Sequence, residues 1–421
     1  MALKTLKDAQ FNGKRVVMRV DFNVPMKDGI TQDTTRIQAA LPSIRYILEQ
    51  NAKSITLMSH LGDPKKDVKK AEEKAKKLNQ NFDKEAYINA KHRMAPVASK
   101  LQELLNQEGI KSKVAFAPDC VGNSSMLDTL ENGSILLLEN TRFHEGETSK
   151  DETKRMELAK ELAKYGEVYV NDAFGTAHRA HASTETVAHI LKDRYAGFLI
   201  EKEIKAFKPF LSNPEKPFVA IIGGAKVSSK IAVLNSLMNT ANTFIIGGGM
   251  SFTFLKAQGY KIGNSLVEDD QLDIARSILE NAKKNNVKIL LPLDHAVSAE
   301  FSDSAKREEP DGIDVADGKM ALDIGQKTLN TIEEELKNAK SIIWNGPMGV
   351  FELDNFTLGT RRTGELIANS GAVTVVGGGD SVAACNKFNL SSKMTHVSTG
   401  GGASLELLEG RQLPGITILD Y

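Results

Sequence analysis

Seven basic side chains in the first half of the chain stand apart from its ordinary surface charge. Arg19, Arg36, Arg142 and Arg179 each fall at the end of an apolar strand-like run or at the start of a helical one, and His60, His178 and His181 share such segments. The segments read RVDFNVP (19–25), MSHLG (58–62), LENTRFH (138–144) and GTAHRAH (175–181). A guanidinium offers a planar fork of donors suited to phosphate and carboxylate, and a neighbouring histidine adds one more donor. Recognition of a small anion is the chemistry this suggests. Each arginine taken singly could instead pair with an acid such as Asp21 or Asp172. A zinc site at His178 and His181 has neither HExxH nor a Cys partner and is poorly supported.

The second half carries a different kit. Glycine-rich loops follow apolar runs in IIGGAKVSSK (221–230), FIIGGGMS (244–251), IIWNGPMGVFE (342–352), VTVVGGGDSVA (373–383) and HVSTGGGAS (396–404). A loop without side chains lets backbone N–H groups approach phosphate oxygens, and a helix starting there adds its positive end. One such loop is often only a tight connection, but several in one half point to a ligand as large as a nucleotide. Lys226 and Lys230 are expected on one face of a helix beginning at the first loop, where two ammonium groups could hold phosphoryl oxygens. Asp380 and Ser381 follow the fourth loop, and the carboxylate would either cap a helix or anchor Mg²⁺. Asn345 and Glu352 flank a Pro–Gly turn; Glu352 would accept from ribose hydroxyls or stand as an exposed helix-start acid. GxxxxGK[ST] is missing, as are a GxGxxG fingerprint with its downstream acid and the HRD and DFG elements. A P-loop, a dinucleotide oxidoreductase and a protein kinase are therefore disfavoured.

Positioning these groups requires two α/β layers. A chain of 421 residues is too long for one ordinary core. Apolar runs at 15–22, 54–60, 113–118, 134–140 and 167–174 alternate with helical patterns at 35–50, 95–107 and 154–166. The alternation resumes with runs at 217–224, 243–249, 288–294, 341–346 and 372–379. Continuous apolar strands between amphipathic helices mean parallel sheets covered on both faces, with about five strands in each half. The expected organisation is a first domain over 1–196, a joining helix over 197–211 and a second domain over 212–404. Residues 63–93 are charge-dense and read as a solvated helical excursion. Lys plus Arg equals Asp plus Glu at 54 each, so no global field draws nucleic acid or an anionic membrane. Cys120 and Cys385 suggest no disulfide framework, and no run reaches the roughly 18 apolar residues of a membrane span. The N-terminus lacks the apolar core of a signal peptide, so a cytoplasmic protein is expected.

The ordered set of segments resembles the phosphoglycerate kinase family from about residue 4 to about residue 415. It includes RVVMRVDFNVP, MSHLG, LLLENTRFH, VNDAFGTAHRAH, FVAIIGGAKVSSKI, WNGPMGVFE and VVGGGDS. The resemblance implies two Rossmann-like domains joined by a hinge helix, with a tail over 405–421 returning to the first. It implies a monomer that transfers a phosphoryl group from 1,3-bisphosphoglycerate to MgADP, in line, after hinge closure. By similarity, 3-phosphoglycerate falls to Arg19, Asp21, Asn23, Arg36, His60, Arg142, His178 and Arg179. ADP or ATP falls to Gly223, Gly224, Lys226, Lys230, Gly248, Gly249, Ala321, Asn345, Pro347, Glu352, Gly378, Gly379, Asp380 and Ser381. Asp380 would hold the nucleotide's Mg²⁺, and Arg36, Lys226, Gly378 and Gly379 would act on the transferring group.

Three departures from the family pattern stand out. Asp63 occupies the place of a patch arginine, Ser381 that of a threonine, and Ala321 that of a glycine. One of Lys65, Lys66, Lys91, His92 or Arg93 is expected to restore the charge lost at Asp63. A chain retaining only a binding role after that loss is the non-enzymatic alternative.

Overall fold

The computed structural model describes residues 3–420. It divides into two compact units, one running through Ile204 and including the segment from Gln412, the other Lys205–Arg411. The dividing point lies inside the helix Phe198–Ser212.

The first unit is built on a six-stranded sheet in the spatial order 114–117, 134–138, 54–58, 15–19, 168–171, 193–196. All neighbours run parallel. Ser54–Met58 and Ser134–Leu138 are buried at every position, which is why they read as unbroken apolar runs rather than alternating ones. Helices Thr35–Glu49 and Ala95–Gln107 close one face with Ile37, Ile44, Val97 and Leu101, all fully buried. The second unit repeats the plan in the order 288–290, 243–246, 218–222, 341–345, 373–376, 396–397. Numbered within the unit this is 3-2-1-4-5-6, the Rossmann order, whose direction reverses between Phe218–Ile222 and Ser341–Asn345.

Each sheet thus holds six strands, not the five expected. The additions are edge strands: Asp193–Ala196 opens with two charged residues, and His396–Val397 is only two residues long, so neither carries an apolar run. The charged segment forms two helices, Pro64–Lys77 and Lys84–Lys91, which pack on one another. Helix Gly402–Leu408 packs on Ile231–Leu237 of the second unit, and only the segment from Gln412 groups with the first. There Gly415 donates its N–H to the Ala177 carbonyl at 2.8 Å, and Asn171 Nδ2 donates to the Gly415 carbonyl at 2.9 Å.

Candidate functional site

Because each sheet is parallel, the residues that follow its strands emerge along one edge. In the first unit that edge carries Val20–Asn23, Ser59–Gly62, Glu139–Phe143 and Asp172–His181, so it collects the basic residues singled out there except Arg19, the last residue of strand Arg15–Arg19, and Arg36, which comes from the first turn of helix Thr35–Glu49. Arg36 Nη1 donates to Asp21 Oδ2 at 2.6 Å, with the arginine about a third exposed and the aspartate almost covered. The other Asp21 oxygen is buried without a hydrogen-bond partner among the described residues. Asn23 Oδ1 accepts the Gly62 N–H at 2.7 Å, and Arg142 Nη1 donates to the Gly62 carbonyl at 2.8 Å. Those two residues clamp the loop that follows His60. Arg179 is exposed, and its Nε lies 3.0 Å from His178 Nε2.

Arg19 is placed differently from its neighbours. It has no exposed surface, and its donors go to Ser183 Oγ at 2.7 Å, the Val20 carbonyl at 2.5 Å and His60 Nδ1 at 3.1 Å. It therefore lies beneath the patch rather than on it. Burial, reinforced by Arg19, Arg142 and Arg36, holds the His60 pKa well below its ordinary value. His181 is pushed down to about 3, first by burial and then by Arg142, Arg19 and Arg179. Both rings are neutral at physiological pH.

Asp63 has a local task. Its side chain caps helix Pro64–Lys77 by accepting the Lys66 N–H at 3.2 Å, while Asp67 Oδ2 accepts the Asp63 N–H at 3.0 Å. Most of the five candidates for restoring the lost charge are engaged elsewhere. Lys65 pairs with Glu145 at 3.3 Å, Lys91 lies over the Tyr87 ring, and Arg93 reaches Glu139 at 3.3 Å. His92 is buried with Nδ1 3.1 Å from the Leu61 carbonyl, and Lys66 contributes its backbone to the cap with its side chain exposed. Four of the five cations are drawn to acids, a ring or a carbonyl of their own surroundings. A further group, Asp119, Cys120 and His144, has metal-like spacing. However, His144 and Asp119 already bond to each other at 2.6 Å, and burial with nearby carboxylates pushes the Cys120 thiol pKa far up, away from the thiolate a metal needs.

In the second unit the glycine loops pack on one another. Gly223 donates its N–H to the Asn345 carbonyl at 2.9 Å, Gly224 to Pro347 at 3.2 Å, and Gly248 to Met348 at 3.0 Å. A Cβ on Gly223 would lie 2.1 Å from the Pro347 oxygen, and one on Gly346 would lie 2.2 Å from the Gly223 oxygen. These glycines are required first because backbone meets backbone at the switch point, and the three amides are spent there rather than free for a phosphate. Gly378 also differs from expectation, since its N–H points to Ser404 Oγ at 3.3 Å. The amides without an intrahelical acceptor are those of Gly379, Asp380 and Ser381, in the first turn of helix Gly379–Lys387.

Lys226 and Lys230 do not share a helix face. Lys226 is extended (φ −129°, ψ 129°) and exposed, a short 3₁₀ turn follows it, and the helix begins only at Ile231. Lys230 is half-buried with Nζ 2.5 Å from Asn345 Oδ1, and burial lowers its pKa despite the nearby Asp380. Ser381 is fully buried, its Oγ accepting the Gly346 N–H at 2.5 Å.

Beside these loops lies a cavity of about 680 Å³. Its walls include Gly224, Gly248, Gly249, Ala321, Pro347, Glu352 and Asp380, joined by Phe252, Leu266, Met320 and Leu322. The apolar set escaped the sequence reading because its members are scattered over some seventy residues with no shared spacing. Such a volume, mostly apolar with a few carboxylates, suits a base and sugar. Asp380, an exposed hard oxygen donor on a helix's first turn, fits a Mg²⁺ that takes its other ligands from phosphates and water.

A Rossmann-ordered unit with a nucleotide-sized cavity, and a second α/β unit bearing an arginine patch, define a nucleotide-dependent phosphotransferase. The family model described as phosphoglycerate kinase matches residues 6–411. Curated phosphoglycerate kinases of Treponema pallidum (strain Nichols) and Borrelia hermsii are 52% and 51% identical, each covering 100% of both chains. The solved phosphoglycerate kinase of Coxiella burnetii superposes with a TM-score of 0.84 at 40% identity over 99% of both chains. That of Pyrococcus horikoshii gives 0.79 at 32% identity, covering 99% of this chain and 98% of the other. The chain belongs to the phosphoglycerate kinase family. It transfers a phosphoryl group between 1,3-bisphosphoglycerate and ADP in glycolysis, with a carboxyl group as acceptor in reverse, and the family uses its nucleotide with Mg²⁺.

Proposed function

We propose that 3-phosphoglycerate and its acyl phosphate bind on the first unit to Asp21, Asn23, Arg36, His60, Arg142, His178 and Arg179, with Arg19 supporting from beneath. The nucleotide binds in the 680 Å³ cavity of the second unit, which is the observation that carries this reading. There Ala321 and the apolar walls take the base and Glu352 the ribose. Lys226, Lys230 and the first-turn amides of helix Gly379–Lys387 take the phosphates, while Asn345 and Ser381 hold their neighbours in place. Asp380 holds Mg²⁺, which when bound neutralises phosphate charge. The protein acts as a cytoplasmic monomer.

Toward ATP, the attacking β-phosphate oxygen and the departing carboxylate are both deprotonated at neutral pH. No general base is needed, and the histidines with lowered pKa values are not asked to be one. The work left is alignment and charge neutralisation in direct in-line transfer. We assign these to Arg36, with its guanidinium about a third exposed, and to the exposed Lys226. Since each unit holds one reactant, turnover needs a hinge-closed state in which they meet. The assignment is tested by ATP- and 3-phosphoglycerate-dependent turnover coupled to glyceraldehyde-3-phosphate dehydrogenase. Arg142→Ala should raise KM for 3-phosphoglycerate about tenfold and leave that for ATP alone, as losing one charged hydrogen bond predicts. Glu352→Ala should do the reverse. Variants that shift neither constant would sink it.

A further inference from the structure

Beneath the patch runs a buried chain of polar groups that no recognition role has absorbed. Glu147 has no exposed surface, and its Oε1 accepts the Ser183 hydroxyl at 2.6 Å while Oε2 accepts the Ser183 N–H at 3.0 Å. Ser183 Oγ accepts in turn from Arg19 Nε at 2.7 Å, and Arg19 Nη2 lies 3.1 Å from His60 Nδ1. Glu147 Oε1 also sits 3.9 Å from Arg19 Nη2, so the buried cation has a buried counter-charge. A buried charge left without such a partner would be costly, and this one is held in a fixed pose by three further bonds.

The direction of the last bond follows from chemistry alone. A guanidinium has five N–H donors and no acceptor, so His60 Nδ1 must supply the lone pair. The ring proton then sits on Nε2, which has no hydrogen-bond partner among the described residues; the carboxylate facing the ring, Asp21 Oδ1, lies 4.0 Å from Nδ1, beyond hydrogen-bond reach, while Arg19 Nη2 lies 3.1 Å away. We infer that Glu147 and Ser183 are positioning residues which, through Arg19, lock His60 as the neutral Nε2–H tautomer and so make it an obligatory hydrogen-bond donor to the acidic substrate. A ring free to choose its tautomer would present a lone pair to an anion part of the time and repel it. A protonated ring would point an N–H at a guanidinium. The depressed His60 pKa agrees with this arrangement.

The inference rests on His60 facing 3-phosphoglycerate, and two measurements separate the two claims. In the intact enzyme with ¹⁵N-labelled histidine, long-range ¹H–¹⁵N correlation should show His60 with a proton on Nε2 only, unchanged from pH 6 to pH 8. A proton on Nδ1, a tautomer mixture or an imidazolium at pH 7 would overturn the lock whatever the kinetics. Ser183→Ala should turn the single tautomer into a mixture. It should also raise KM for 3-phosphoglycerate about tenfold, with kcat changed little and KM for ATP unchanged; a pure folding defect would move both. Glu147→Gln should do the same, and Ser183→Thr, which keeps the hydroxyl, should recover the single tautomer. If Ser183→Ala keeps both the tautomer and KM, the positioning role is wrong. If His60→Gln leaves KM for 3-phosphoglycerate unaltered, the substrate assignment fails while the tautomer result stands.

Discussion

On the proposed assignment the two units answer the same demand, holding a phosphorylated anion at the edge of a parallel sheet, by different means. In the first, side chains do it: Arg36 on Asp21, Asn23 and Arg142 on Gly62, and Arg19 on His60, each bond joining separate segments of the chain. In the second, backbone meets backbone: the loops after strands Phe218–Ile222, Thr243–Ile246 and Ser341–Asn345 lean on one another so tightly that a methyl group would not fit at Gly223, and their amides are spent on holding the site together. A backbone site has no redundancy, and its residues cannot be exchanged one at a time.

That contrast can be broken in several places. The largest effect is expected where each site presents an exposed or half-exposed cation to the reacting group. Lys226→Ala and Arg36→Ala should each lower kcat by about a thousandfold or more, as loss of a charge stabiliser of the transition state does. Lys226→Ala should change nucleotide affinity far less, and single-turnover rates together with equilibrium titration of MgADP would show it. Near-normal turnover in either variant would refute that role. Next comes Gly223→Ala, whose methyl would strike the Pro347 carbonyl; a loss of about 3 kcal/mol in unfolding free energy is expected in urea titrations. A change under about 1 kcal/mol would mean the loops can part.

A subtler difference concerns pH. His60 and His181 take up protons below about 6.5 in the unfolded chain but stay neutral in the fold down to much lower pH, about 3 for His181. In that interval the unfolded state binds more protons, so these two groups make stability rise with pH up to about 6.5 and add no slope beyond it. Replacing His181 with Gln should flatten the urea midpoint between pH 4 and pH 6. An unchanged slope would assign the dependence elsewhere. The smallest effect is expected at Asp63→Arg, which removes the Lys66 cap at a cost of about 1 kcal/mol and places a cation beside the patch. KM for 3-phosphoglycerate should fall in the same variant; a rise would show that the cap matters more to the site than the charge.

Much of this was legible in the residues. Val/Ile/Leu runs buried on both faces have no reason to alternate, so parallel sheets under helices follow from pattern alone; within those two sheets the short edge strands Asp193–Ala196 and His396–Val397 lacked a signal. The motif residues were also visible, because arginine, histidine and glycine in apolar settings are costly unless used. What the residues could not say is which side of the surface each falls on. Arg19 and Arg36 look alike in sequence, yet one is buried under His60 and the other half-exposed over Asp21, and that depends on what packs from far along the chain, at Glu147 and Ser183. Lys226 and Lys230 lost their shared face because the helix starts late, and the cavity walls come from segments with no common period. Local chemistry is written in neighbours along the chain. Burial, tautomer and cavity shape are set by neighbours in space, and those exist only once the sheets have formed.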